Sequence, residues 1–92
     1  MEYKLSRGFD KILRGLHPNE KLDVQRTMDA LVRAFDAKSV PIGLGLKKLS
    51  GTIWEIRISL ASRVLFDWQK QRVTFLFIGN HNEVQQFLRR YI

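Results

Sequence analysis

The chain has no cysteine, which excludes disulfide stapling, thiolate metal centres and cysteine nucleophiles, and makes a reducing compartment its simplest home. Histidine is almost as scarce, with only His17 and His81, and the acidic residues are scattered rather than clustered. The ligand set of a metal hydrolase is therefore lacking, and neither a metal nor another cofactor is expected. No segment approaches the roughly 18 consecutive apolar residues of a membrane span, and the N-terminal Met1-Glu2-Tyr3-Lys4-Leu5 has no signal-peptide character. A cytoplasmic protein without a membrane partner is the expectation. The glycines of Gly43-Leu44-Gly45 lack the remaining signature of a phosphate-binding loop.

What is present fits one domain spanning residues 1–92. A chain of this length buries one core and has no room for a second. Its 45% hydrophobic and 27% charged residues are those of an ordinary globular protein. Sixteen Lys and Arg against nine Asp and Glu leave a net charge of +7, which favours a polyanionic partner or serves solubility alone. Only the spatial distribution of the charge separates these two readings.

Along the chain, Glu2 to Leu5 alternates as a short first strand, and Ser6 is placed to cap a helix whose Phe9, Ile12, Leu13 and Leu16 share one face. His17-Pro18-Asn19 breaks that helix. A second, longer helix runs to about Phe35, with Leu22, Met28, Leu31, Val32 and Phe35 at mostly helical spacing, and the two are expected to form an antiparallel pair. The Pro41 to Gly45 segment closes the helical half, after which the period switches to two.

Trp54, Ile56 and Ile58 alternate with Glu55, Arg57 and Ser59; Val64, Phe66 and Trp68 alternate with Arg63, Leu65 and Asp67; Val73 to Ile78 is apolar on both faces. A three-residue Leu60-Ala61-Ser62 loop sets Ile56 opposite Phe66 and Arg57 opposite Leu65. A two-residue Lys70-Gln71 turn pairs Phe66 with Phe75 and Val64 with Phe77. The expected fold is thus α+β: an N-terminal strand and a two-helix antiparallel pair packed on one face of a mostly antiparallel four-stranded sheet, followed by a short C-terminal helix holding Val84, Phe87 and Leu88. The helices cover Trp54, Ile56, Phe66 and Phe75. The opposite face carries Glu55, Arg57, Arg63, Leu65, Leu76 and Ile78, too apolar to stand in water, so the C-terminal segment or a partner chain should cover it. The Gly79-Asn80-His81-Asn82-Glu83 turn brings His81 to the edge of that face.

Each of these residues has a plain structural reading: Arg57 as a surface residue paired with Asp67, His81 as a turn residue, Lys47 and Lys48 as solvated charges. Their convergence from separate segments has a chemical use. Cleavage of RNA by its own 2'-hydroxyl needs a proton acceptor, cations for the phosphorane charge and an acid for the departing 5'-oxygen. Arginine's planar fork suits the cationic part and histidine suits proton transfer near neutrality, with no metal required. Trp54 and Trp68 fall on the core face, which leaves no exposed aromatic platform in view.

The segments Leu46-Lys47-Lys48-Leu49-Ser50-Gly51, Ile53-Trp54-Glu55-Ile56-Arg57, Arg63-Val64-Leu65-Phe66 and Gly79-Asn80-His81-Asn82-Glu83-Val84 together resemble the RelE/ParE toxin superfamily of type II toxin-antitoxin systems. The RelE-like branch implies a ribosome-dependent messenger RNA endonuclease (an mRNA interferase) whose groove is masked by a wrapping antitoxin; the ParE-like branch implies a DNA gyrase inhibitor. By this resemblance Arg57 and Arg63 correspond to the phosphate-stabilising basic residues and His81 to the Arg or His after the last strand, acting as general acid. Glu55 stands where RelE carries lysine and takes the part of a base, while Lys47 and Lys48 contact RNA. Gln85 departs from the pattern, since several nuclease members place a tyrosine there, and Tyr91 lies too far along to be its equivalent. A non-catalytic RNA-binding module follows from charge alone.

Overall fold

The computed structural model describes residues 1–39 and 45–91. The segment that closes the helical half of the sequence falls largely in residues 40–44, outside the described residues. The elements run β1 (Glu2–Leu5), α1 (Arg7–Gly15), α2 (Pro18–Asp36), β2 (Lys47–Ser50), β3 (Ile53–Arg57), β4 (Arg63–Gln69), β5 (Arg72–Gly79) and α3 (His81–Tyr91). The five strands form one mixed sheet in the order β1-β5-β4-β3-β2, with β1 parallel to β5 and the other neighbours antiparallel. The expected strand, helix pair, meander and C-terminal helix are all present, and β2, whose Lys-Lys-Leu-Ser carries no apolar alternation, adds a fifth strand.

Local chemistry sets the helix boundaries. Ser6 caps α1, its hydroxyl oxygen accepting from the Phe9 N–H at 3.1 Å while its O–H donates to the Leu76 carbonyl at 3.2 Å, so one side chain starts the helix and ties it to β5. Pro18 occupies the first turn of α2, where a missing N–H costs nothing. One face of the sheet then meets α1 and α2 over Phe9, Val24, Leu31, Ile56, Val64, Phe66, Val73, Phe75 and Ile78, with each fully buried large side chain contributing about 1.5–3 kcal/mol. Trp54 and Trp68 belong to this layer, 5.5 Å apart between centroids, with Phe35 4.6 Å from Trp68. Val24 is buried, whereas Leu22 is largely exposed.

Two pairings differ from the sequence expectation. β3 meets β4 with Ile56 opposite Val64, Glu55 opposite Leu65 and Arg57 opposite Arg63, two residues away from the expected register, because the Ile58 and Ser59 N–H groups both donate to the Ser62 carbonyl and close a loop over residues 58–62. The Ser59 hydroxyl oxygen accepts from the Ala61 and Ser62 N–H groups, fixing that loop from within. The β4–β5 turn at Lys70-Gln71 is as expected, Lys70 supplying the positive φ of 52° that the turn demands. Phe66 faces Phe75, but a bulge then puts Val64 opposite Ile78 and Leu65 opposite Phe77. The extra residue, Leu76, reverses the alternation, so Phe77 and not Ile78 lies on the second face.

That second face has its own core. Ile53, Leu65, Leu76 and Val84 are buried together, with Leu49, Phe77, Phe87 and Leu88 packed against them. The cover required by so apolar a face is α3.

Candidate functional site

Where α3 does not reach, the second face keeps its charges. Arg57 and Arg63 stand directly opposite each other on β3 and β4, and Arg63 faces Gly79 on β5. Like charges in facing positions repel, and the offsetting group is Glu55. It is 8% exposed, the one charged residue in the buried class among the described residues, and its Oε1 lies 3.3 Å from Arg63 Nε. Arg63 Nε makes no aligned hydrogen bond, so the contact holds by charge rather than by directed donation. Arg57 remains exposed. Asp67 does not pair with it: Asp67 faces Ile53 and Thr74 and accepts from Gln69 Nε2 at 2.8 Å.

Two glycines shape this cluster. Gly45, at φ +65°, enters β2 with its Cα against Arg57, where an added Cβ would sit 2.8 Å from that of Arg57; no other residue type fits both the conformation and the space. Gly79 lets α3 fold back onto the sheet: a Cβ there would lie 2.7 Å from Phe77 Cε2 and 3.0 Å from Glu83 Cβ.

His81 opens α3, two residues beyond the partner of Arg63, and is exposed. The helix start is a reciprocal cap: Asn80 Oδ1 accepts from the Glu83 N–H, and Glu83 Oε1 accepts from the Asn80 N–H, both at 2.9 Å. The backbone of His81 is thereby set on a defined turn, at the anion-favouring end of the helix.

Lys47 faces Glu55 across β2 and β3 and shares the second face with Arg57 and Arg63, whereas Lys48 faces Trp54 and belongs to the helix-covered side. The fold thus brings together Lys47, Glu55, Arg57, Arg63 and the His81 turn, and sets Lys48 apart. Among the described residues, no group of three or more His, Asp or Glu side chains could hold a metal ion, and no helix is long and apolar enough to cross a membrane. Gln85 sits half-buried on α3.

One feature of the second face escaped the sequence reading. Phe77, Phe87 and Tyr91 form a ladder of rings, with centroids 4.7 Å and then 5.4 Å apart and planes inclined by 17° and 26°. The spacing of Phe87 and Tyr91 by one helical turn was the available signal. The contribution of Phe77 depends on the bulge, which the local pattern does not reveal.

The fold is that of several toxins from toxin-antitoxin systems. A chain of the RelB-RelE antitoxin-toxin complex from Methanococcus jannaschii superposes with a TM-score of 0.67 at 13% identity, over 91% of this chain and 96% of that one. The archaeal RelE-RelB complex from Pyrococcus horikoshii gives 0.66 at 18% identity, over 86% and 92%. YafQ from Escherichia coli gives 0.68 at 10% identity, over 90% and 96%. No protein-family model matches the sequence, and no curated protein matches it either. At these identities the likeness is one of fold.

Proposed function

We propose that this domain is the toxin of a type II toxin-antitoxin pair and an endoribonuclease that cleaves messenger RNA at the ribosome, in the cytoplasm. The observation that carries the reading is the facing pair Arg57 and Arg63, with its Glu55 counter-charge, beside the helix start that holds His81. Attack of the 2'-oxygen on the adjacent phosphorus forms the P–O2' bond and expels the 5'-oxygen. The two guanidiniums hold the charge gathering on the non-bridging oxygens, and His81 gives a proton to the departing oxygen. Glu55 is the proton acceptor suggested by sequence, but its burial and its contact with Arg63 suit it better to orienting that arginine. The 2'-hydroxyl proton then passes to solvent or to a group supplied by the ribosome, which gives ribosome dependence a chemical reason. Lys47 extends the cationic surface toward the RNA backbone, whereas Lys48, on the helix-covered side of the sheet, takes no part in this site.

An antitoxin is the expected protein partner, in keeping with the antitoxin complexes among the similar folds and with a toxin charge of +7. Gln85, in place of the tyrosine that the resemblance implies, supports a second reading as a gyrase inhibitor on the same scaffold. Induced expression in a bacterial host separates the two. Cuts in translated messages, mapped by primer extension and absent from Arg57→Ala and Arg63→Ala, are the expected outcome; growth arrest with intact messages and a DNA-damage response would replace the nuclease with the gyrase reading.

A further inference from the structure

Charge is divided at the end of the sheet where β3 stops and β4 begins. Arg57, Arg63 and the His81 turn lie there on the second face. On the helix side of the same end, the corner between α1 and α2 and the 58–62 loop enclose a cleft of about 210 Å³. Its floor is apolar, made by Leu16, Val24, Ile58 and Ile78 of the main core. Its rim carries the exposed carboxylates of Glu20 and Asp23. Between these halves, at the tip of the loop, stands Leu60. It is 92% exposed, the barest large apolar side chain among the described residues, on a loop fixed by the Ser62 carbonyl and the Ser59 hydroxyl. Among the described residues, no ion pair engages Glu20, Asp23 or Arg57.

We infer that this end of the molecule is a self-association surface, in which Leu60 of each copy enters the cleft of the other. A lone exposed leucine needs no explanation. Here the cleft takes an aliphatic side chain with a cation beside it, and the 58–62 loop, with Arg57 at its start, presents that pair. A two-fold axis running across the strand ends turns the helix side of one copy toward the second face of the other. Each leucine then meets an apolar floor, and each Arg57 meets Glu20 and Asp23 of the other copy, the same contact made twice. The charge match selects a second copy as the occupant, since these carboxylates stand apart in a chain of net charge +7. Two leucines and their flanking ion pairs make a smaller patch than a permanent interface, so the dimer is weak and fills with concentration. Its consequence rests on the proposed nuclease function: the dimer occupies Arg57 and screens the neighbouring Arg63, so the chain is silent toward RNA while paired. The association itself does not depend on that function.

The test is sedimentation velocity of the full chain without RNA, from about 10 μM to about 1 mM, where a monomer should give way to a dimer. Leu60→Asp removes the knob from both copies and should weaken the dimer by about 100-fold or more. Its circular dichroism should match the wild type, because Leu60 has almost no contact within its own chain. A Glu20→Lys, Asp23→Lys chain and an Arg57→Glu chain should each self-associate about tenfold more weakly or worse, yet associate when mixed, since each new charge then faces its opposite. A wild type that stays monomeric throughout overturns the surface. So does a dimer that Leu60→Asp leaves intact, or a mixture that associates no better than its components. Cleavage of a translated message is read separately. Leu60→Asp should keep cutting at concentrations where the wild type falls off, and wild-type cutting undiminished as the dimer fills overturns the masking. A chain that dimerises through Leu60 yet cuts no RNA as a monomer leaves the surface standing and removes the nuclease reading.

Discussion

Replacing Glu55 with glutamine removes the counter-charge of Arg63 but keeps side-chain volume, and leaves two guanidiniums facing each other across β3 and β4. Breaking a fully buried ion pair costs about 3–5 kcal/mol, whereas a surface pair is worth about 0–1 kcal/mol. The side chains here are 14% and 11% exposed, and the 3.3 Å contact carries no aligned hydrogen bond. Both facts move the cost down from the buried limit, to about 2 kcal/mol. At a urea dependence of about 2 kcal/mol per molar, the midpoint of unfolding should fall by about 1 M. Arg63→Gln should cost less, since it relieves the facing charge of Arg57 at the same time. The double variant should be more stable than the two single losses sum to, by about 1–2 kcal/mol. Urea titrations followed by tryptophan fluorescence suit this cycle, because Trp54 and Trp68 lie in the core. Additivity within about 0.5 kcal/mol, or Glu55→Gln as stable as the wild type, would refute the role of Glu55 as the cluster's counter-charge.

Asn80→Ala removes one half of the reciprocal cap and should cost about 1 kcal/mol, seen as faster amide exchange in the first turn of α3 and, under the proposed nuclease function, as reduced cleavage through a less fixed His81 turn. Gly79→Ala drives a methyl into Phe77 and Glu83 and should destabilise by about 1–3 kcal/mol; an unchanged melting temperature would argue against so close an approach of α3. Tyr3 is held above its ordinary pKa of 10.0 by burial and by the charge of Asp36, to whose Oδ1 its hydroxyl donates at 3.3 Å. Folding therefore resists its ionisation: its contribution is complete below pH 10 and is lost as pH rises through the higher folded-state value. Tyr3→Phe should flatten that alkaline fall in a pH series of denaturation midpoints.

Much of this was legible in residue order. Ser6 marked the first helix, Pro18 the second, and alternation marked β3 and β4. The set Glu55, Arg57, Arg63 was assigned to one face correctly even though its register was off by two residues, because a two-residue slip preserves which side each chain points to. A one-residue bulge does not, and Phe77 and Ile78 exchanged faces at Leu76. Nothing local distinguishes them: both are apolar, and the choice is made by Phe87 stacking on Phe77 from a helix that follows. The strand β2 was missed for a related reason, since its residues are placed by pairing with β3 and not by a pattern of their own. The Glu55–Arg63 contact was invisible because it is a diagonal relation that exists only once Arg57 faces Arg63.

The parallel pairing of β1 with β5 bears on how the chain folds. Glu2 meets Arg72 and Leu5 meets Phe75, so the first strand closes a loop of about seventy residues and cannot dock until the fifth has been made. Loop closure of that length must be met before its contacts stabilise anything, and non-local pairing of this kind slows folding. During synthesis β1 and the apolar stripe of α1 wait without their sheet, and the facing arginines, set on β3 and β4 and flanked by α3, are assembled only after β5 and α3 have been made. The charged cluster is therefore among the last parts of the domain to form.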